Sequence, residues 1–424
     1  MESEKIVIIG AGIVGVFCAL ELQKTGAKVS IVDSQAPGLG CSFGNAGGIS
    51  PGAVVPYSMP GTLLNVPRWL LSSTGPLVVR PGYMLTLFPW LLQWLKASRP
   101  EQAKAISRAM HSLHKSSLDV YLPLLRDIGE ADMIRSPGQL YVSQQETGIE
   151  GGRLAQEMRD AAGVKTEVLS GSEVQELEPS LSSRYRSGLF FPNNGNCSNP
   201  HRLVDRLAGL FVSRGGKIIC NTVVSFEFGP DGPCALLLGE GGKISFDKIV
   251  VAAGARSNVL TSMLGTKVPL VAERGYHVTI PEPGVTPKIP VSNRDYSFAV
   301  TPMEMGLRFA GTAEFADVDA TPDWRRADVL LELGAQMFPG LRSSNATRWM
   351  GGRPSLPDGL PVLDRSPLHH KAFFAFGNGH FGLMAAPMMG KAIAELVAGQ
   401  TPSIDLSPFR ANRFGRNRKN TANV

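Results

Sequence analysis

The sequence predicts a mixed α/β fold in which a parallel-sheet domain, assembled from separated segments, is interleaved with a second domain of mixed and antiparallel strands. Three observations predict it. A strand, glycine turn, helix, strand unit opens the chain at residues 5–33. Elements of the same parallel type recur near residues 200–255 and again at 372–397. Between them, residues 270–314 carry strand patterns with no helical crossover. The 424 residues, 43% of them apolar, suffice for two ordinary domains with a substantial core, which excludes a disordered or fibrous chain. Charged residues make up only 18%, and 47 glycines and 31 prolines occur without a collagen period, so packed irregular loops around a ligand are expected.

The elements follow in order. Lys5 to Ile9 is an Ile/Val-rich strand, Val14 to Lys24 a helix, and Lys28 to Val32 a second strand. Residues 34–67 contain no charged side chain but seven glycines and five prolines, a composition of neither a helix nor a soluble linker. Helical periodicity dominates from about Gly61 to Ile128, punctuated by prolines, and Ser136 to Ser143 reads as a strand. Asn199 to Arg214 is a marked helix, with Asn199 as N-cap, Pro200 at the first helical position and Gly215–Gly216 as the stop. Strands are expected at 217–220, 223–228, 235–238, 248–252, 270–280, 298–301 and 307–314, then a helix over about 323–337. A strand at Ala372 to Phe376, a turn, and a helix to about Val397 close the pattern.

The formal net charge of +6 raises nucleic acid or an anionic membrane as partners. Five of the cations, however, lie in the terminal segment as Arg410, Arg413, Arg416, Arg418 and Lys419, where a solvated tail is expected, so no nucleic-acid partner is predicted. The five cysteines are widely spaced and form no C-x-x-C, which indicates neither a disulfide framework nor a zinc site and favours a reducing, cytoplasmic setting. Residues 6–20 are apolar, but Glu2 and Glu4 and the spaced glycines argue against a signal peptide, and no run has the length of a membrane helix. Met84 to Leu95, with Trp90 and Trp94, is the candidate for peripheral contact with the inner face of a membrane; a core helix under a loop is the competing and preferred expectation.

Gly10-Ala11-Gly12-Ile13-Val14-Gly15 is a G-x-G-x-x-G. With this glycine content about 0.6 such matches arise by chance, so context decides. This copy follows a strand and opens a helix, and Asp33 ends the second strand 18 residues beyond Gly15. Glycines let backbone approach a pyrophosphate at a helix N-terminus, and the carboxylate suits a ribose diol and repels a 2′-phosphate. The uncharged loop Gly40-Cys41-Ser42-Phe43-Gly44-Asn45-Ala46-Gly47-Gly48 suits a flat, largely apolar ring that needs backbone donors, which points to FAD rather than NAD. Ala253–Gly254 after an apolar strand, and the helix N-terminus at Gly377 to Gly382, supply two further approaches to such a cofactor.

On the segments GAGIVG, CSFGNAG, SMPG, NVPRWLL, ERGYHV, TPMEMGLR, AGTAEFA, GGRPSLPDGLPVL, AFGNGHFGL and SIDLSPFRANRFG, spread over nearly the whole chain, the sequence resembles the FAD-dependent D-amino-acid oxidase superfamily. Within it, the sequence resembles the branch of bacterial D-amino acid dehydrogenases and glyphosate oxidoreductase. The resemblance implies a discontinuous Rossmann-like FAD-binding domain (residues 1–60, 150–255 and 345–424) with an interleaved mixed/antiparallel-sheet substrate or cap domain (61–149 and 256–344). It implies non-covalent FAD held by Gly10, Gly12, Ile13, Val14, Gly15, Asp33, Ser34, Gly40, Cys41, Ser42, Asn45, Ala46, Gly47, Gly48, Val223, Ala253, Gly254, Gly379, His380, Phe381, Gly382 and Leu383. Asn378 departs from the branch, which often has a second histidine there.

Oxidation of a carbon–nitrogen bond needs the substrate α-hydrogen aimed at the flavin, an uncharged nitrogen and a cationic clamp for any carboxylate. Arg353, after Gly351–Gly352, is the expected clamp, with an ion pair to Asp358 or Asp364 as the structural alternative. His380 is the best placed titratable group. Strand alternation sends Tyr276 and His277 to opposite faces; Tyr276, and Arg274 by parity, are expected to face the pocket. The G-x-S-x-G match at residues 40–44 lacks the strand before and helix after that a hydrolase elbow needs. His111 and His114 have metal-compatible spacing but no third ligand, so exposed helix positions and no metal are expected. The expected reaction oxidises a D-amino acid or related secondary amine to an imine, hydrolysed to a keto acid plus ammonia or amine, with oxygen or a respiratory quinone as electron acceptor. An N-substituted glycine giving glyoxylate is the alternative within the class, and a tRNA-modifying flavoenzyme or a non-catalytic FAD-binding protein lies further off.

Overall fold

In the computed structural model, residues 3–62, 75 and 77–415 are described. The NVPRWLL segment and the tail beyond residue 415 lie outside them.

Five short apolar strands pair in parallel in the order Lys217–Cys220, Lys28–Asp33, Lys5–Ile9, Lys248–Val251 and Ala372–Phe376, and Val362–Arg365 adds antiparallel at the edge. Alternation along these strands separates two cores. Ile6, Ile8, Val250, Phe373 and Ala375 face the helices Ile13–Gln23, Pro200–Ser213 and Gly382–Val397. Val7, Ile9, Ile249, Val251, Phe374 and Phe376 face the opposite side, where Phe226 and Leu236 of a three-stranded antiparallel sheet cover them. The two principal helices approach closely because Gly390 has no Cβ: one built there would lie 2.8 Å from the Phe17 backbone. Asn199 caps its helix as expected, its side chain accepting from Arg202 N at 3.0 Å.

The second sheet runs Thr347–Ser355, Val271–Ile280, Gly306–Phe315, Phe298–Met303, Val291–Asn293, Gln139–Ser143, Ser187–Phe191 and Glu167–Ser170, with Leu77–Val79 added alongside Gly306–Phe315. It is mixed: Val291–Asn293 with Gln139–Ser143, and Leu77–Val79 with its neighbour, pair in parallel. Helix Arg325–Met337 covers one face and buries Leu330, Leu333 and Met337 against Tyr276, Val278 and Phe309. Sheet membership does not follow the boundaries expected at residues 150 and 345. Glu167–Ser170, Ser187–Phe191 and Thr347–Ser355 all hydrogen-bond into the second sheet.

Strand Thr347–Ser355 contains two glycines and a proline, which hides it from propensity reasoning. Its place at the sheet edge reconciles them, because Pro354 there need not donate to a further strand. Among the described residues no helix is long and apolar enough to cross a membrane. The core role expected for Met84 to Leu95 holds for only one side of the observed helix Met84–Ala97: Leu87 and Trp90 are buried, whereas Met84, Leu85, Phe88, Leu92 and Leu95 are exposed.

Candidate active site

The crevice at the carboxyl ends of the parallel strands is built from glycines in contact. A Cβ on Gly10 would lie 2.3 Å from the Ala252 carbonyl oxygen, and one on Gly15 would lie 1.9 Å from that of Gly10. Strand, turn and helix can close up only without side chains there. Asp33 braces the turn: its Oδ2 accepts from Ala11 N at 2.7 Å and its Oδ1 from Gln35 N at 3.0 Å. Gly12 is the helix N-cap with no side-chain cap, and no acid sits in the first turn. A Cβ on Gly12 would meet only Ser42 Oγ, at 3.6 Å, and those on Gly40, Gly48 and Gly254 would meet nothing within 4 Å. These positions leave a cradle above a helix N-terminus, which fits a dinucleotide pyrophosphate.

The other expected contacts gather around this crevice. Ser42 Oγ accepts from Ile13 N at 3.1 Å, and the Cys41 thiol donates to the Gly352 carbonyl at 2.7 Å. Ser34 is exposed and Val223 half-buried beside the Asp33 strand end, where Asn221 N donates to Asp33 O at 2.8 Å. Ile13 and Val14 are buried in the first helical turn, and Leu383 is buried in the last helix. Gly379 N donates to Pro354 O at 2.8 Å, which brings the turn before that helix onto the second sheet. The helix begins at Gly382 with an uncapped N-terminus and no acid in its first turn.

The face of the second sheet next to the crevice carries a cluster of ionisable and aromatic side chains. Pairing sets Glu273 opposite Arg353, Gly275 opposite Gly351 and His277 opposite Trp349 on adjoining strands. Two facing glycines thus lie between an ionic pair and an aromatic pair. The Arg353 guanidinium lies across Gly275, so that a Cβ there would come within 2.2 Å of Cζ. Arg353 Nη1 donates to Glu273 Oε1 at 3.0 Å and to the Thr312 carbonyl at 3.2 Å. Thr312 holds φ at 52°, a left-handed conformation rare for a β-branched residue, in the bulge opposite Gly275. Among the described residues, Arg353 Nε and Nη2 have no acceptor. His380 Nε2 lies 2.8 Å from Glu273 Oε1, Ser355 Oγ donates to Oε2 at 2.8 Å, and the Tyr57 ring stands 4.7 Å from that of His380. Burial alone would raise the Glu273 carboxyl; His380, Arg353 and Ser355 together outweigh it and hold the group well below the usual carboxylate range.

Four expectations are corrected. Arg353 pairs with Glu273, while Asp358 binds Arg413 and Asp364 accepts from Ala411 N. Tyr276 and Arg274 share a face, but it points away from the crevice: the Tyr276 hydroxyl donates to Glu314 at 2.6 Å, and Arg274, fully buried, pairs with the same carboxylate at 3.3 Å. The apolar stripe of helix Arg325–Met337 takes the Tyr276 face and leaves His277 to the crevice. His114 is buried rather than exposed, its Nδ1 2.8 Å from the Ala53 carbonyl. Glu273, the hub of the cluster, is not among the site residues expected from sequence; the available signal was an acid inside an expected strand, on the parity of His277.

A family profile described as FAD dependent oxidoreductase (DAO) matches residues 5–396. The chain belongs to this DAO family. It is 34% identical over 420 residues to a D-amino-acid oxidase of Bradyrhizobium diazoefficiens, covering 97% of this chain and 99% of the relative. It is 31% identical to a D-amino acid dehydrogenase of Rhizorhabdus wittichii, over 97% and 100% of the two chains. Among solved structures, the L-proline dehydrogenase from P. horikoshii superposes with a TM-score of 0.76 at 20% identity, covering 97% of this chain and 98% of that one. This DAO-family protein is therefore an FAD-dependent oxidoreductase, and the glycine cradle fits its cofactor.

Proposed function

We propose that the protein oxidises the carbon–nitrogen bond of an amino acid, in the first instance a D-amino acid, to an imine that water hydrolyses to a keto acid and ammonia. The observation that carries the reading is the Nε/Nη2 edge of Arg353 over Gly275, which has no acceptor among the described residues. That edge is the two-donor fork that grips a carboxylate, and Nη1 is already occupied by Glu273 and Thr312, so the fork is held in one orientation. The names of the two curated relatives agree with an amino-acid substrate. Bound FAD supplies the two-electron acceptor that takes the α-hydrogen with its electron pair. The chain supplies the rest. Arg353 orients the carboxylate, the absence of a side chain at Gly275 leaves room for its guanidinium and that at Gly351 for the Trp349 ring, and the His380–Glu273 pair stands ready to accept a proton from the substrate ammonium so that a neutral amine reacts. The residues assigned above to cofactor contact belong to the same proposal.

A panel of D- and L-amino acids and N-substituted glycines, added to the holoenzyme without oxygen, tests the reading through loss of the flavin absorbance band. Bleaching by N-substituted glycines alone would replace the amino-acid reading with the secondary-amine one.

A second observation bears on the electron acceptor. No acidic residue occurs between Asp33 and Glu101, whereas Arg68, Arg80, Lys96 and Arg99 do. Helix Met84–Ala97 exposes Leu85, Phe88, Leu92 and Leu95 within that stretch. An apolar helix face in a basic setting suits the inner surface of an anionic membrane, where a quinone rather than oxygen would take the electrons. Co-flotation with vesicles containing anionic lipid, abolished in Leu85→Ser/Phe88→Ser, is expected; absence of the wild type from the floated fraction would remove the membrane from the proposal.

A further inference from the structure

The loop Phe43 to Ala46 belongs by sequence to the FAD-binding segment, yet it is gripped by side chains of the second sheet. Arg308 Nη1 donates to the carbonyls of Phe43 at 3.0 Å and Asn45 at 2.8 Å. His277 Nδ1 lies 3.1 Å from the Gly44 carbonyl, and Thr301 Oγ1 donates to that of Ala46 at 2.8 Å. Four consecutive carbonyls are thus turned the same way, into the sheet. In a trans peptide the N–H points opposite to its C=O. Asn45 N is satisfied by Ser42 O and Gly47 N by Asn45 Oδ1. The N–H groups of Gly44 and Ala46 have no acceptor among the described residues, and these belong to the two peptides that Arg308 holds. Gly44 is buried, and a buried N–H without a partner is costly unless a ligand supplies the acceptor.

Arg308 is itself 3% exposed and makes no ion pair among the described residues; burial draws its pKa down to about 10, so it stays charged at neutral pH. Its Nε donates to Thr279 Oγ1 at 3.2 Å.

Resting on the FAD site proposed above, we infer that Arg308 is a positioning residue for the flavin: it turns the Gly44 and Ala46 N–H groups out as donors to the ring, and its unbalanced charge favours the more electron-rich reduced ring. The cofactor loop is therefore shaped from the substrate side of the molecule. Neither Arg308 nor Thr301 need touch substrate for this.

The test uses holoenzyme and no amine, so it stands or fails apart from the amino-acid reading. FAD release on dilution and the flavin reduction potential are measured for Arg308→Met, Arg308→Lys and Thr301→Val. Arg308→Met is expected to release FAD at least tenfold faster and to bind reduced FAD about tenfold less well relative to oxidised, a shift of about 30 mV downward for a two-electron couple. Arg308→Lys, which keeps the charge but not the fork, should release FAD faster with the potential near that of wild type. Thr301→Val, nearly isosteric, should release FAD faster at an unchanged melting temperature, and it serves if Arg308→Met does not fold. FAD release unchanged in Thr301→Val and Arg308→Lys overturns the positioning role, and a wild-type potential in Arg308→Met overturns the electrostatic one.

Discussion

At the scale of single residues, Arg353 carries the heaviest demand. Truncation to Ala removes the proposed substrate fork and leaves the buried Glu273 without its guanidinium. A cost of about 2–5 kcal/mol is expected, a thirty-fold to several thousand-fold loss in kcat/KM, with only partial rescue by Lys. A lowered melting temperature with normal single-turnover flavin reduction would instead mark Arg353 as a structural ion pair. His277 sets the response to acid. Burial first, then Arg308 and Arg353, depress its pKa to about 3, so it remains neutral in the fold while the unfolded chain protonates near 6.5. The unfolded state then binds more protons between those values, and stability falls as pH drops from 6.5 towards 3, by on the order of 4 kcal/mol for this group. Glu273 adds a loss of the same sign below about 4.5, because its folded-state pKa is depressed. His277→Asn, which can still donate to Gly44 O without titrating, should flatten the fall between pH 6.5 and 4.5 in denaturant titrations; an unchanged slope would show that His277 does not govern it.

At the scale of elements, the strand pair Val271–Ile280 and Thr347–Ser355 makes the floor of the proposed site, and its central glycines are more sensitive than their small size suggests. Gly275→Ala would place a methyl in the guanidinium of Arg353. FAD should be retained, with kcat/KM down about a hundredfold or more; loss of FAD together with activity would mean that the strand itself had moved. Much of this element was legible in sequence. Period-two alternation correctly separated Tyr276 from His277, because side chains on a strand must alternate. Which face looked inward was not legible, since that depends on where the Arg325–Met337 helix packs, a long-range contact with no local signature. For the same reason Glu273 was passed over: its partners Arg353 and His380 lie 80 and 107 positions away in the chain. The G-x-G-x-x-G unit, by contrast, was readable because turn, cap and strand end all lie within 30 residues.

At the scale of the whole molecule, the two sheets meet at the proposed cofactor site, through the Phe43–Ala46 loop and the Gly379 N to Pro354 O bond. FAD binding should therefore stabilise both together. At a free FAD concentration a hundred times its Kd the gain is about 2.7 kcal/mol, and the protein should melt in one transition that moves upward with FAD. Two transitions, only one of them responsive, would indicate sheets that fold independently. The central claim is that this FAD-dependent oxidoreductase takes its electrons from an amino acid gripped at Arg353. Its most direct measurement is anaerobic single-turnover reduction of the bound flavin by D-amino acids, in wild type and Arg353→Ala side by side. The account predicts rapid bleaching in the wild type by at least one D-amino acid, slowed by thirty-fold or more in the variant with FAD still bound. A wild type that holds FAD and is bleached by no amino acid, or a variant reduced at the wild-type rate, would contradict it.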